Sequence, residues 1–185
     1  MLAKRIDIPK FLHEIHGESA PLYNLLSVYC SGISVALLFS IKLYTLNVSL
    51  WNILVSAFVW FDIGGGVVAN LSSPTNRFFV DKAKSRILFL AIHIIQPGVI
   101  ALLFPKDWVF FSFVYFFTIL SCITIALMKS NERQQVFAGL LVALGITLAI
   151  VLFRLSIPAL MLFAPLFMIK LILGFSVKRP SFDMD

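Results

Sequence analysis

Six apolar stretches, at roughly 22–46, 49–72, 86–104, 108–128, 136–153 and 156–177, take up most of the chain, and short polar or proline-bearing turns separate them. Each is close to the ~20 residues that a helix needs to cross a bilayer, and a helix satisfies its own backbone polar groups in hydrocarbon. The pattern predicts an all-α fold, a polytopic transmembrane helix bundle of about six spans. Ahead of it, residues 1–21 are mixed polar. Ile8, Phe11, Leu12 and Ile15 recur there at helical spacing between charges, which predicts a cytoplasmic arm carrying a short interfacial helix. Pro21 marks the entry to a membrane domain over 22–177, and residues 178–185 read as a cytoplasmic tail. The start of the chain has no apolar core of a cleaved leader, so the first run is expected to stay as an anchor.

Composition agrees with this pattern. Hydrophobic residues make up 60% of the chain, charged residues only 13%, and the mean hydropathy is +0.98, against roughly 45–50% apolar content in soluble domains. A net charge of +6 would point a soluble protein toward nucleic acid, but here the basic residues sit in short loops and report orientation instead. Alternate loops carry eleven Lys and Arg on the side of the two termini and three (Lys42, Lys106, Arg154) on the other. The positive-inside rule then places both termini in the cytoplasm, as in a bacterial cytoplasmic membrane, and an even number of spans follows. The triple glycine of the second run has no counterpart in the fifth, so no inverted repeat is expected.

The second run holds the chemistry. Asp62 lies well inside it, where an ionisable group costs from about 2.5 kcal/mol to several times that, so it is expected to face protein or a water-filled cavity. Asp62, Gly66 and Asn70 share one helix face, and Gly65 with Ala69 makes a small-xxx-small pair. Gly64, Gly65 and Gly66 therefore allow a ligand or another helix to come close. Two readings stand side by side: a tight packing seam with a locally satisfied acid, or a functional acid.

In the third run, Arg86, His93 and Gln96 fall on or near one face, and Pro97 cannot donate to the carbonyl of His93. Imidazole, amide and a freed carbonyl converge, although a lone helical histidine is as often a structural hydrogen-bonding residue. Counting inward from positions 72, 86 and 177 at about 1.5 Å per residue puts Asp62, His93 and Lys170 all roughly 10–15 Å deep. Adjacent second and third spans would bring Asp62 and His93 together as acceptor and titrating partner, with Asn70 and Gln96 orienting them. Lys170 either joins that centre as a ligand-binding residue or, as its long stem favours, snorkels to the interface.

Between the second and third runs, Ser73 is placed to cap a helix with Pro74 at its first position. Phe78 and Phe79 are expected to dip into the bilayer. Asn76, Arg77, Lys82, Lys84 and Arg86 form a candidate site for an anionic lipid headgroup or phosphate, or simply a basic anchor, making the 73–86 hairpin the expected lipid contact.

Several chemistries lack their residues. His13-Glu14-Ile15-His16 misses the i, i+4 histidine spacing of a zinc helix, and no metal site is expected. Cys30 and Cys122 are isolated within apolar runs, and the Asn47-Val-Ser49 sequon falls in a loop of a few residues. There is no G-x-S-x-G, Walker A or pair of histidine boxes, and the D-x-x-G-x-x-A-R pattern of CDP-alcohol phosphotransferases is absent. No cofactor is indicated. The leading expectation is an intramembrane polar centre built on Asp62 and His93 that handles a proton, ion or small polar solute. Alternatives are a membrane enzyme acting on a lipid or isoprenoid headgroup, with His93 or Asp62 as base, and a non-catalytic partner in a homo-oligomer or larger membrane complex.

Overall fold

Proline and glycine decide how the chain begins. The computed structural model describes residues 4–79 and 83–178, and for 83–86 the backbone alone. Within the arm, β1 (Arg5–Asp7) pairs antiparallel with β2 (Ser19–Pro21), Arg5 opposite Pro21, and between them lie a 3-10 turn and the one-turn helix α1 (His13–His16). Among the described residues, helix forms in the arm only over the 3-10 turn Lys10–Leu12 and α1. Pro9 precedes the 3-10 turn and Gly17, at φ 72°, ends α1 and turns the chain back, a conformation that favours glycine.

The remaining helices follow: α2 (Leu22–Thr45), α3 (Leu50–Leu71), the short α4 (Ser73–Phe78), α5 (Ala83–Ile92), α6 (Ile95–Leu103), α7 (Trp108–Ala126), α8 (Asn131–Leu152) and α9 (Phe163–Met168), which runs on as π-helical turns over Ile169–Ser176. Among the described residues, five helices are long and apolar enough to cross a membrane, as in a multi-pass membrane protein: Leu22–Thr45, Leu50–Leu71, Pro105–Ala126, Asn131–Leu152 and Pro158–Ser176. The third apolar run is shorter. It breaks at His93–Ile94, where the backbone makes three-residue turns and Pro97 denies His93 its helical donor. Helix α8 starts at Asn131, ahead of the apolar run, because Ser130 caps it by accepting from the Arg133 amide at 3.4 Å.

In lipid, close packing between helices replaces the hydrophobic effect as the force that holds them together. Helices α2 and α3 show how. A Cβ on Gly64 would sit 2.7 Å from Val35 and 3.1 Å from the Ser31 carbonyl, and one on Gly65 would sit 3.2 Å from the Val28 carbonyl. On the facing side Gly32 meets Phe61, and the Ser31 hydroxyl donates to the Gly64 carbonyl at 2.9 Å. An aromatic group packs deeper in the interior: Trp60 stacks on Phe39, meets Phe163 edge-on, and Phe163 stacks on Phe167. Outward faces of α2 and α8, including Leu38, Ile41, Val136 and Leu140, are exposed apolar surface.

Gly64→Ala is expected to cost about 1–3 kcal/mol by overpacking the α2–α3 seam. Gly139→Ala, where a Cβ meets nothing within 4 Å, leaves stability unchanged or slightly raised. Thermal unfolding of the detergent-solubilised protein distinguishes the two.

Candidate functional site

Lys170 is the second residue of the π-helical stretch and points inward rather than snorkelling. Its ammonium donates to Asp62 Oδ2 at 3.0 Å and to the Asp62 carbonyl at 3.3 Å. The partners differ in setting: the lysine side chain is 2% exposed and the aspartate 54%. Gly66 makes this approach possible, because a Cβ there would clash with Lys170 Cε. Of the three glycines, then, two receive helix α2 and the third receives a charged side chain.

The widened turn is itself pinned from α3 and α4. Asn70 donates to the Lys170 carbonyl at 3.1 Å, and Asn76 donates to the carbonyls of Gly174 (3.1 Å) and Val177 (3.3 Å). Gly174 lies so close to Asn70 that a Cβ would approach its side chain at 2.8 Å. The π-helical pattern leaves carbonyls that the helix does not satisfy in the ordinary i to i+4 way. The two asparagines supply donors there.

The break in the third run places the remaining polar groups. The His93 Nδ1–H donates to the Phe89 carbonyl one turn back, and the ring packs against Phe89. Gln96 follows at the start of α6, 8% exposed, with its Oε1 lacking a hydrogen-bond partner among the described residues. Asp62, Gly66, Asn70, His93, Gln96 and Lys170 all line one cavity of about 270 Å³, together with Ala69, Phe89, Ile92 and Ile95 and with Glu14 and Ile15 of the arm. That volume lies just below the ~300–1,000 Å³ of sites for drug-sized ligands. A small solute fits it.

The structure thus gathers Asp62, His93, Gln96, Asn70 and Lys170, but pairs them differently from the sequence reading. The aspartate's hydrogen-bonding partner is Lys170, and among the described residues no hydrogen bond joins Asp62 to His93. Gly64 and Gly65 serve the α2 seam and only Gly66 reaches the cavity.

The headgroup cluster also separates. Asn76 is buried and committed to the last helix, whereas Arg77 is exposed. Lys82 and the side chains of Lys84 and Arg86 lie outside the described residues. Ser72 rather than Ser73 precedes α4, with its hydroxyl turned back to the Ala69 carbonyl. Phe79 does not dip into lipid: it is 1% exposed and packs between Phe89 and Phe175.

Two contributors escaped the sequence reading. Glu14 reaches the cavity because the arm folds back: the Thr75 hydroxyl donates to the Ile15 carbonyl at 2.6 Å, His16 Nε2 meets the Tyr29 hydroxyl at 3.2 Å, and Gly17 lies against Pro74. At the opposite end of the bundle, Asp107 accepts from the Ser156 amide at 2.9 Å and from its hydroxyl at 2.5 Å, joining the α6–α7 and α8–α9 loops. Asn52 donates there to the Leu103 carbonyl at 3.1 Å. Both contacts are long-range, and residue spacing carries no sign of them. No protein-family model, curated protein or solved structure matches the chain.

Breaking the ion pair from its two sides is expected to give unequal results. Asp62→Ala strands a buried ammonium and should cost about 3–5 kcal/mol. Lys170→Met leaves a carboxylate already half exposed and should cost clearly less. Chemical unfolding of both variants in detergent measures the difference.

The arm carries its own pH dependence. Burial lowers the His16 pKa from its ordinary value, so the unfolded state takes up the proton first. Stability conferred by the docked arm is full above about pH 6.5, the ordinary imidazole value, and declines as pH falls below it. Melting temperature measured between about pH 7 and pH 5 should fall in the native chain, and His16→Gln should flatten that slope.

Proposed function

We propose that the cavity is an intramembrane polar centre through which the protein handles a proton, an ion or a small polar solute, in a transport-like role. One observation carries the reading. Asp62, far from either end of an apolar helix, keeps a half-exposed carboxylate turned to a cavity while its cationic partner is buried. Such a group is costly at that depth unless water or a ligand covers it, so the cavity is where a solute meets the chain. His93 and Gln96 line its other side and Asn70 fixes the turn that presents Lys170. In this reading α5 and α6 together make a sixth crossing and both termini face the cytoplasm, as the distribution of Lys and Arg favours. A reporter fused at the C-terminus checks that orientation, and periplasmic activity overturns it.

Ile92 and Ile95 on the cavity rim are 50% and 58% exposed on the outside of the bundle. That opening toward the lipid side favours, as a second reading, action on a lipid headgroup with His93 or Asp62 as base. Incubation with membrane lipids that yields neither product nor copurified lipid removes it.

In proteoliposomes, proton flux reported by an entrapped pH dye and solute flux reported by vesicle swelling should exceed those of empty vesicles. Asp62→Asn combined with His93→Ala should bring both to the empty-vesicle level. Flux unchanged in that double variant overturns the proposal.

A further inference from the structure

We propose that the occupant of this cavity is the ammonium group of a small organic cation. The inference rests on the reading of the cavity as a solute site and names the solute's chemistry. By formal charge the lining carries Asp62 and Glu14 against Lys170 alone, a net of one negative charge. The lysine does not offer its charge to the cavity as freely as that count implies, since it is 2% exposed and donates twice to Asp62. The charged groups that remain to meet a solute are carboxylates. Asp62 uses only Oδ2 toward Lys170, and its other carboxylate oxygen has no protein partner among the described residues. Glu14 of the arm adds a second acidic residue to the lining, and Gln96 adds an amide whose Oε1 is buried beside the cavity without a partner among the described residues.

A buried acceptor without a donor costs about 1–3 kcal/mol, and the terminal torsion of a glutamine is soft enough to turn its amide to a donor that arrives. An ammonium presents three N–H donors and no acceptor, and the lining offers it carboxylates from α3 and the arm, with Gln96 able to turn its amide oxygen toward it. A bare metal ion fits less well. It needs several oxygen or nitrogen ligands around one point, and among the described residues no three of His, Cys, Asp or Glu converge as a metal-ligand group. The carbon part of the solute has a place too, against Phe89, Ile92 and Ile95. Because those isoleucines are half exposed on the bundle surface, the ammonium can belong to a free amine or to the headgroup of an amine-bearing phospholipid.

The test titrates ethanolamine hydrochloride into the full chain in nanodiscs of phosphatidylcholine and phosphatidylglycerol, followed by calorimetry, with glycerol and sodium acetate as neutral and anionic comparators of similar size. Saturable binding of ethanolamine and not of the comparators is expected. Gln96→Leu and Glu14→Gln, which leave the Asp62–Lys170 pair in place, should each weaken it about tenfold, the scale of one hydrogen bond to a charged group. A parallel titration in discs containing phosphatidylethanolamine separates the sources: suppressed ethanolamine binding assigns the site to the lipid headgroup, and unchanged binding assigns it to a free amine. Absence of saturable ethanolamine binding, or binding indifferent to both substitutions, overturns the proposal. Asp62-dependent flux without ethanolamine binding leaves the transport reading standing and removes only the ammonium, whereas binding without any flux does the reverse.

Discussion

A lysine buried among apolar side chains is stable only if its charge is answered, and in this chain the answer comes from a single aspartate on another helix. Much of the surrounding architecture follows from that need. Gly66 gives up a side chain so that the ammonium can reach α3, Asn70 and Asn76 donate to carbonyls of the widened turn that carries Lys170, and Gly174 lets that turn lie against Asn70. Replacing a buried ion pair by apolar residues of like size is often neutral or stabilising. The pair by itself is therefore weak evidence of a stabilising role.

How far this was legible in the sequence depends on which coordinate of a helix is asked for. Rise per residue is nearly constant, so the depths of Asp62, His93 and Lys170 follow from counting, and the structure brings all three to one cavity. Rotation is different. Helices apolar all round give no moment to orient them, so nothing in the sequence chose Lys170 over His93 as the partner of Asp62. Lys170 lies buried in π-helical turns rather than at the snorkelling position that its long stem favours, and no local propensity announces such turns. The break at His93, by contrast, was written in Pro97, and the structure separates α5 from α6 there.

The arm shows the same limit from the other direction. Its apolar residues have helical spacing, yet Pro9, Gly17 and Pro21 punctuate the stretch too closely for a helix to propagate beyond one turn, and the chain folds back as a hairpin instead. That fold is what carries Glu14 to the cavity, a placement no spacing rule supplies. Likewise Phe79 left the bilayer for an aromatic pocket made by Phe89 and Phe175, residues far apart in the chain.

The distribution of wet and dry layers along the bundle has an electrical consequence. One half holds the polar cavity, while beyond Asp62 the interior is filled by Trp60, Phe39, Phe163 and Phe167, and the far loops are fastened by Asp107 and Ser156. In the transport-like reading proposed above, water filling the cavity carries the potential of its own side inward, so a transmembrane voltage falls mainly across the aromatic half. Moving one charge through the full voltage is worth about 2.3 kcal/mol per 100 mV. In that reading a charge that crosses the aromatic half meets nearly the whole drop, while Asp62 and Lys170, which line the cavity, stay close to the potential of their own side.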